Sequence, residues 1–408
     1  MTSTDRRTRP GWPTILALGA LPWLAPGASA QLEPPISTDI RARMQRSVDA
    51  REISGAVTLV GDAGGQLSLV AVGERDLEHH LPMEPDTIFR VASMTKPVTA
   101  VALMMLVDEG KLALDDPVEK HLPEFRDQML AWLRQGDAEI HRRPARPITL
   151  RDLLTHTSGL PDASPPGSPE RDAKPPRTLA EASEHSGHRP LSFEPGSRWS
   201  YSNAGINTLG RVVEVASGLS FEEYLKARIT GPLGMSDTTF HPTPDQMKRV
   251  AVTYRREEGG LSHVVASRVA PVPGERPPSP AGGLFATAPD LARFYRMILR
   301  RGALDGRRTL SESAVANMTR LQTGELKCGF VDGMGFGLGW GFVKQPTGVT
   351  ERLSPGSFGH GGAFGTQAWI DPVKGRFAIL MIQRVGLANN DGTPMRRELQ
   401  DAAFGGSR

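Results

Sequence analysis

Apolar positions between Ile40 and Ile53 recur near every 3.6 residues, at Ile40, Met44, Val48 and Ala50, and predict an amphipathic helix. The pattern then changes. Ala56–Val60 and Leu67–Val72 predict two strands, and the turn residues Gly61-Asp62-Ala63-Gly64-Gly65 between them make the pair a hairpin. The run from Ser93 to Gly110, rich in Val, Ala, Leu and Met, predicts a long helix. From about Asp115 to Gly282 the pattern breaks into short helical stretches, Leu150–Leu154, Gly205–Ser217 and Phe221–Ile229, parted by Pro-, Gly- and Ser-rich loops. Pro161–Pro176 and Pro271–Pro280 read as surface linkers or as the rim of a site, since long loops in compact folds often carry function. After Gly282 strand patterns return at Gly339–Val343, Thr366–Ile370 and Phe377–Gln383, and Pro394–Phe404 predicts a closing helix.

Strands at both ends with a helical middle predict an α+β fold, an antiparallel sheet flanked by helices. Residues 31–120 and 283–408 would form the sheet domain, and 121–282 an inserted, mostly α-helical domain. The 408 residues are 38% hydrophobic and 23% charged, which excludes a disordered chain or a coiled coil and suffices for a sizeable core. Residues 1–30 read as a signal peptide: basic Arg6, Arg7 and Arg9, an apolar stretch Trp12–Ala25, and Ala28-Ser29-Ala30 as a cleavage site before Gln31. The expected location is therefore the periplasm or outside the cell. No later stretch reaches about 18 apolar residues, so no membrane span is expected after cleavage. The net charge is +3, most of it in the leader, and no Lys/Arg cluster is interleaved with aromatics, so nucleic acid is not an expected partner. A single cysteine, Cys328, forbids an internal disulfide and reads as an inert thiol.

Three short motifs carry chemistry. Ser93-Met94-Thr95-Lys96 opens the long helix and puts serine and lysine one turn apart on one face. A serine hydroxyl becomes a nucleophile when a neighbouring base takes its proton, and a lysine whose pKa is lowered by burial is such a base. An N-cap serine followed by a surface lysine gives the same letters. Tyr201-Ser202-Asn203 is the second motif: a phenol beside an ammonium acts as phenolate or proton relay, and the Asn203 amide can bond both a lysine and a substrate carbonyl or amide. A packing tyrosine in a turn after Pro195-Gly196 is its plain alternative. The third is His360-Gly361-Gly362-Ala363 before a predicted strand; its glycines admit close approach, and the N–H groups of Ala363 and Ser93 would make an oxyanion hole.

In that order the motifs resemble the penicillin-recognising serine hydrolases, whose Ser-x-x-Lys serine is the nucleophile. Ile88-Phe-Arg-Val-Ala-Ser-Met-Thr-Lys-Pro97, Leu153-Leu-Thr-His-Thr-Ser-Gly-Leu160, Pro195-Gly196, Pro232-Leu-Gly-Met235 and Ala281-Gly-Gly-Leu284 look like the class C β-lactamase-related branch. That branch includes carboxylesterases, D-aminopeptidases and D,D-peptidases. The resemblance spans about Ile40 to Gln383 and implies a β-lactamase/transpeptidase-like fold. It implies Ser93 as nucleophile, Lys96 as general base, Tyr201 as proton donor to the leaving group, and Asn203 as orienting Lys96 and the acyl portion. His360-Gly361-Gly362 stands where β-lactamases carry Lys-Thr/Ser-Gly. A mostly neutral histidine there weakens recognition of a substrate carboxylate.

The expectation is an exported serine hydrolase acting through an acyl-enzyme, a carboxylesterase on small or short-chain esters. The alternative is a β-lactamase or a D,D-peptidase or D-aminopeptidase-type amidohydrolase, and behind it a catalytically silent binding module of the cell envelope. The expected partner is a small ester or amide, with no cofactor and no metal. His79-His80 has no H-E-x-x-H around it and no carboxylate at ligand spacing in the sequence. His156 reads as part of a tight turn beneath the site. Gly335-Phe-Gly-Leu-Gly339 reads as strand and loop, not a phosphate cradle, and no G-x-S-x-G elbow is present.

Overall fold

A computed structural model describes Met1 and residues 35–135, 138–162, 176–264, 271–387 and 393–405. The expected signal segment and its cleavage point after Ala30 lie, Met1 aside, outside the described residues, as does most of Pro161–Pro176.

Pro34–Arg408 form one unit built on an eight-stranded sheet. Its strands are β1 (Gly55–Asp62), β2 (Gln66–Asp76), β3 (Leu81–Pro82), β4 (Met334–Phe336), β5 (Gly341–Val343), β6 (Phe358–Gly361), β7 (Gln367–Asp371) and β8 (Arg376–Met381). The spatial order is β4-β5-β6-β7-β8-β1-β2-β3, every neighbouring pair antiparallel. The first strand of the chain thus pairs with the last of the sheet, Val57 opposite Met381 and Asp62 opposite Arg376. The predicted hairpin is β1–β2, its turn closed by Asp62 Oδ1, which accepts from the N–H of Gly64 and Gly65 at 2.7 and 2.9 Å.

Alternation along the strands decides which helices cover which face. Ala56 and Val60 of β1 with Ala378 and Leu380 of β8 pack against Ile40 and Met44 of α1 (Pro35–Asp49) and against Met395 and Leu399 at the C-terminus. The intervening Val57, Leu59, Phe377 and Ile379 face the larger core, which holds α2 (Thr95–Asp108) and continues into the helical middle of the chain. Each such side chain, fully buried, contributes ~1.5–3 kcal/mol. α2 is buried all round from Thr95 to Leu106, which explains its uninterrupted apolar run.

The short helices of the middle include α3 (Leu150–Thr155) and α4 (Asn203–Ser217), each started by a side-chain cap, Thr149 and Ser202. α1 ends at Asp49 rather than Ile53, as Arg51 turns into the left-handed region with φ 52°. Several elements depart from expectation, among them the helices Leu179–Gly187 and Glu312–Thr319 and a hairpin of Leu130–Gln135 with Ala138–Arg142 in the helical middle. Between Gly282 and the closing helix only strands are expected, but Ala288–Leu299 is a helix, α5, capped by Thr287 and burying Leu291, Phe294, Tyr295 and Ile298 under the sheet. The closing helix, α6, spans Pro394–Phe404 as predicted. Among the described residues no helix is long and apolar enough to cross a membrane.

Candidate active site

Ser93 lies in a single 3-10 turn, Ala92–Met94, that feeds α2. Ala92 holds φ +47°, a region that non-glycine residues avoid, and such strain costs about 1–3 kcal/mol. The surroundings enforce it. Thr95 Oγ1 donates to the Ala92 carbonyl at 2.7 Å, and the Val91 N–H donates to Leu284 at 3.0 Å. Gly362 presses on the same turn: a Cβ there would meet Val91 O at 2.4 Å and Thr366 Oγ1 at 2.2 Å. Gly362→Ala is therefore expected to destabilise the fold by about 1–3 kcal/mol in a urea melt. An unchanged midpoint would mean that the strand end shifts aside freely.

Lys96 stands one turn behind Ser93 and is 0% exposed. Its Nζ is 3.1 Å from Ser93 Oγ, 2.7 Å from Asn203 Oδ1 and 2.6 Å from the Ala281 carbonyl. Burial pushes the amine down to about 7, with the Asp162 charge acting against it. A neutral amine has two N–H groups and one lone pair. The two oxygens of Asn203 and Ala281 can only accept, so they take both hydrogens and leave the lone pair facing Ser93. That arrangement can accept the serine proton.

Tyr201 and Asn203 enter from the start of α4, more than a hundred positions along the chain. The Tyr201 ring lies with its centroid 4.6 Å from Lys96 Nζ. Burial raises the phenol above its ordinary value, and a hydrogen bond with Ser93 works against it. Of the two expected roles this removes the standing phenolate and leaves the proton relay. His156 backs the tyrosine. Its φ of +60° ends α3, its Nδ1 accepts from the Ser202 N–H at 3.1 Å, and its ring sits 4.5 Å from that of Tyr201. The turn expected beneath the site thus carries a buried, neutral imidazole, held below 6.5 by burial and by Lys96. Asp162, which the sequence reading missed, accepts from Asn203 Nδ2 at 2.8 Å, the Ala204 N–H at 2.9 Å and Ser202 Oγ at 3.2 Å.

His360 and Gly361 belong to β6 itself rather than to its approach. His360 Nδ1 is 2.7 Å from the Gly361 carbonyl, which places the proton on that nitrogen. Burial and the nearby Lys96 push the ring down to about 3, so it is neutral. Its buried Nε2 has no hydrogen-bond partner among the described residues and is an acceptor, not a cation. Ser93, Tyr201, Asn203, His360, Gly361, Gly362 and Ala363 all line one cavity of about 440 Å³, walled by Phe330, Met334, Phe336 and Trp369. Arg396 of α6 also lines it, its guanidinium 5.0 Å from the centre of the Trp369 ring.

The other singled-out residues stand elsewhere. Cys328 is buried, which pushes its thiol up. Gly335–Gly339 spans β4 and a turn, where Gly339 (φ +77°) brings the chain against Ala100 of α2. His79 does have carboxylates near it once folded: its ligand atom and those of Asp76 and Glu78 lie within 4.8 Å of one another. Asp76 is already engaged, by His79 Nδ1 at 2.9 Å and by the N–H groups of Glu78 and His79.

An antiparallel sheet flanked by helices, with a serine and a buried lysine one turn apart beside strand β6, is the fold of β-lactamases and penicillin-binding proteins. The chain belongs to the beta-lactamase family, whose model matches residues 40–402, and with it to that superfamily of serine hydrolases. It is 36% identical over 361 residues to an uncharacterized protein of Mycobacterium tuberculosis, covering 84% of this chain and 89% of that one. It is 31% identical over 404 residues to the esterase EstB of Burkholderia gladioli, covering 90% and 95%. The solved structure of EstCE1, a hydrolase with promiscuous acyltransferase activity, superposes with a TM-score of 0.75 at 24% identity, over 91% of this chain and 98% of that one.

Proposed function

We propose that the protein is an exported carboxylesterase, periplasmic or secreted, acting on small or short-chain esters through an acyl-enzyme on Ser93. Ser93 Oγ attacks the ester carbonyl while its proton passes to Lys96 Nζ. The N–H groups of Ser93, at a helix start where N–H groups have no helical partner behind them, and of Ala363, just past β6, hold the oxyanion. Lys96 returns the proton through the Tyr201 hydroxyl to the departing alcohol, and Asn203 keeps Lys96 in place. Water then attacks the acyl carbon as its proton passes to Lys96, the bond to Ser93 Oγ breaks, Ser93 takes that proton back, and the acid leaves. The observation that carries the choice of esters is His360: a neutral ring offers a lone pair where a lysine would offer a charge to a substrate carboxylate. The likeness to EstB supports it.

A second reading rests on Arg396, a fixed positive charge on the wall of the same cavity. A guanidinium there would favour a β-lactam or peptide carboxylate. The test sets p-nitrophenyl acetate and butyrate against a chromogenic cephalosporin. Esters are expected to be turned over at least tenfold faster, and His360→Lys to raise cephalosporin turnover. Dominant cephalosporin turnover in the unmodified protein, lost in Arg396→Gln, would overturn the esterase reading in favour of an amidohydrolase.

A further inference from the structure

We propose that Asp162 is a positioning residue that locks the Asn203 amide oxygen-first onto Lys96, and so keeps the lysine lone pair directed at Ser93. The inference rests on the serine–lysine reading of the site, but not on the choice of ester over amide.

An asparagine amide has two ends of nearly equal shape and opposite role: the oxygen accepts and the NH₂ group donates. If Asn203 turned over, its NH₂ group would point at Lys96 Nζ, donate to the lone pair, and take away the base. Nothing in the amide's shape prevents this. Asp162 prevents it, because a carboxylate accepts and cannot donate, so only Nδ2 can face it. The same carboxylate accepts from Ala204 N–H and Ser202 Oγ, at a helix start where negative charge is favoured. It therefore fixes both the amide and the backbone that carries it. Arg189 Nη1 holds the Asp162 carbonyl at 3.2 Å, which ties the loop to the neighbouring helical segment.

The carboxylate also acts through its charge. Tyr201, His156, His360 and Asp162 are the titratable groups acting with or on Lys96, and Asp162 is the anion among them. Removing it lowers the lysine pKa further, so the amine stays neutral to lower pH.

The test follows the rate at which a fluorophosphonate labels Ser93 in the full chain, between roughly pH 5 and 9. Asp162→Asn is expected to slow labelling about 10- to 100-fold, a fraction of the general-base contribution, and to move the acid limb to lower pH. Asp162→Glu, which keeps the charge and the acceptor-only head, is expected to recover part of the rate with the limb near its original place. Ser202→Ala loosens the same helix start and removes one bond to Asp162 while leaving the Asn203–Asp162 bond and the charge, and is expected to slow labelling less than Asp162→Asn with the limb unmoved. The inference is overturned if Asp162→Asn labels at the original rate, or if it slows with an unmoved limb and Ser202→Ala slows equally. It is overturned too if Asp162→Glu does no better than Asp162→Asn, a comparison of rates per folded molecule. A chain that is labelled yet turns over no ester leaves the inference standing and removes only the esterase reading.

Discussion

Replacing Ser93 with alanine is expected to lower ester turnover by about 10⁴-fold or more, because members of a nucleophile–base unit fail together rather than additively. The deletion removes one hydroxyl and opens little space, since Ser93 already faces the cavity. The melting temperature should therefore stay close to that of the unmodified protein. Lys96, Tyr201 and the two N–H groups remain, but no covalent intermediate can form. The measurement is initial rate with p-nitrophenyl butyrate, backed by a burst experiment that counts acyl-enzyme. Retention of more than about a tenth of the rate would remove Ser93 from the mechanism.

The second large effect concerns Lys96. Lys96→Met keeps the volume and removes the base, and is expected to lower kcat/KM by about 10²–10⁴-fold. The pH profile of the unmodified protein carries the same information without mutation. Lys96 must be neutral to accept a proton, and burial has brought it to about 7. Activity should thus be low below pH 7, rise through a midpoint near 7, and level off above it. His156 and His360 contribute no limb of their own, as both are already neutral well below that midpoint. Tyr201 cannot replace the lysine, since burial keeps its phenol protonated. A profile flat between roughly pH 6 and 8 would contradict the role assigned to Lys96.

What the sequence displayed and what it hid follow from range. Ser93 and Lys96 are one helical turn apart, so their proximity can be read directly from the letters. Their meeting with Tyr201 and Asn203 depends on α4 docking against α2, and only resemblance to known proteins suggested it. Asp162 and the Ala281 carbonyl stayed hidden, because contacts from loops leave no periodic trace. The strands β1, β2, β5, β7 and β8 are visible as apolar or alternating runs, β2 alternating and β1, β7 and β8 buried on both faces. β6 was read only as the approach to a strand, since Phe358-Gly-His-Gly361 is half glycine and has little strand preference. Helix α5 lies outside the expected elements although its signals are local. Thr287 and Asp290 spell a helix start, and Leu291, Phe294, Tyr295 and Ile298 keep helical spacing.

The pairing of β1 with β8 also orders events in time. A growing chain releases β1 and β2 about three hundred residues before β8, the other neighbour of β1. Until Arg376–Met381 emerges, the outer edge of β1 has no partner, and unpaired edges invite association with other chains. The helix behind Ser93 meanwhile lacks the sheet face that it is to cover. Contacts closing so long a loop form slowly. The protein therefore has no half-built working form: the serine acquires its setting only when the two ends of the chain have met.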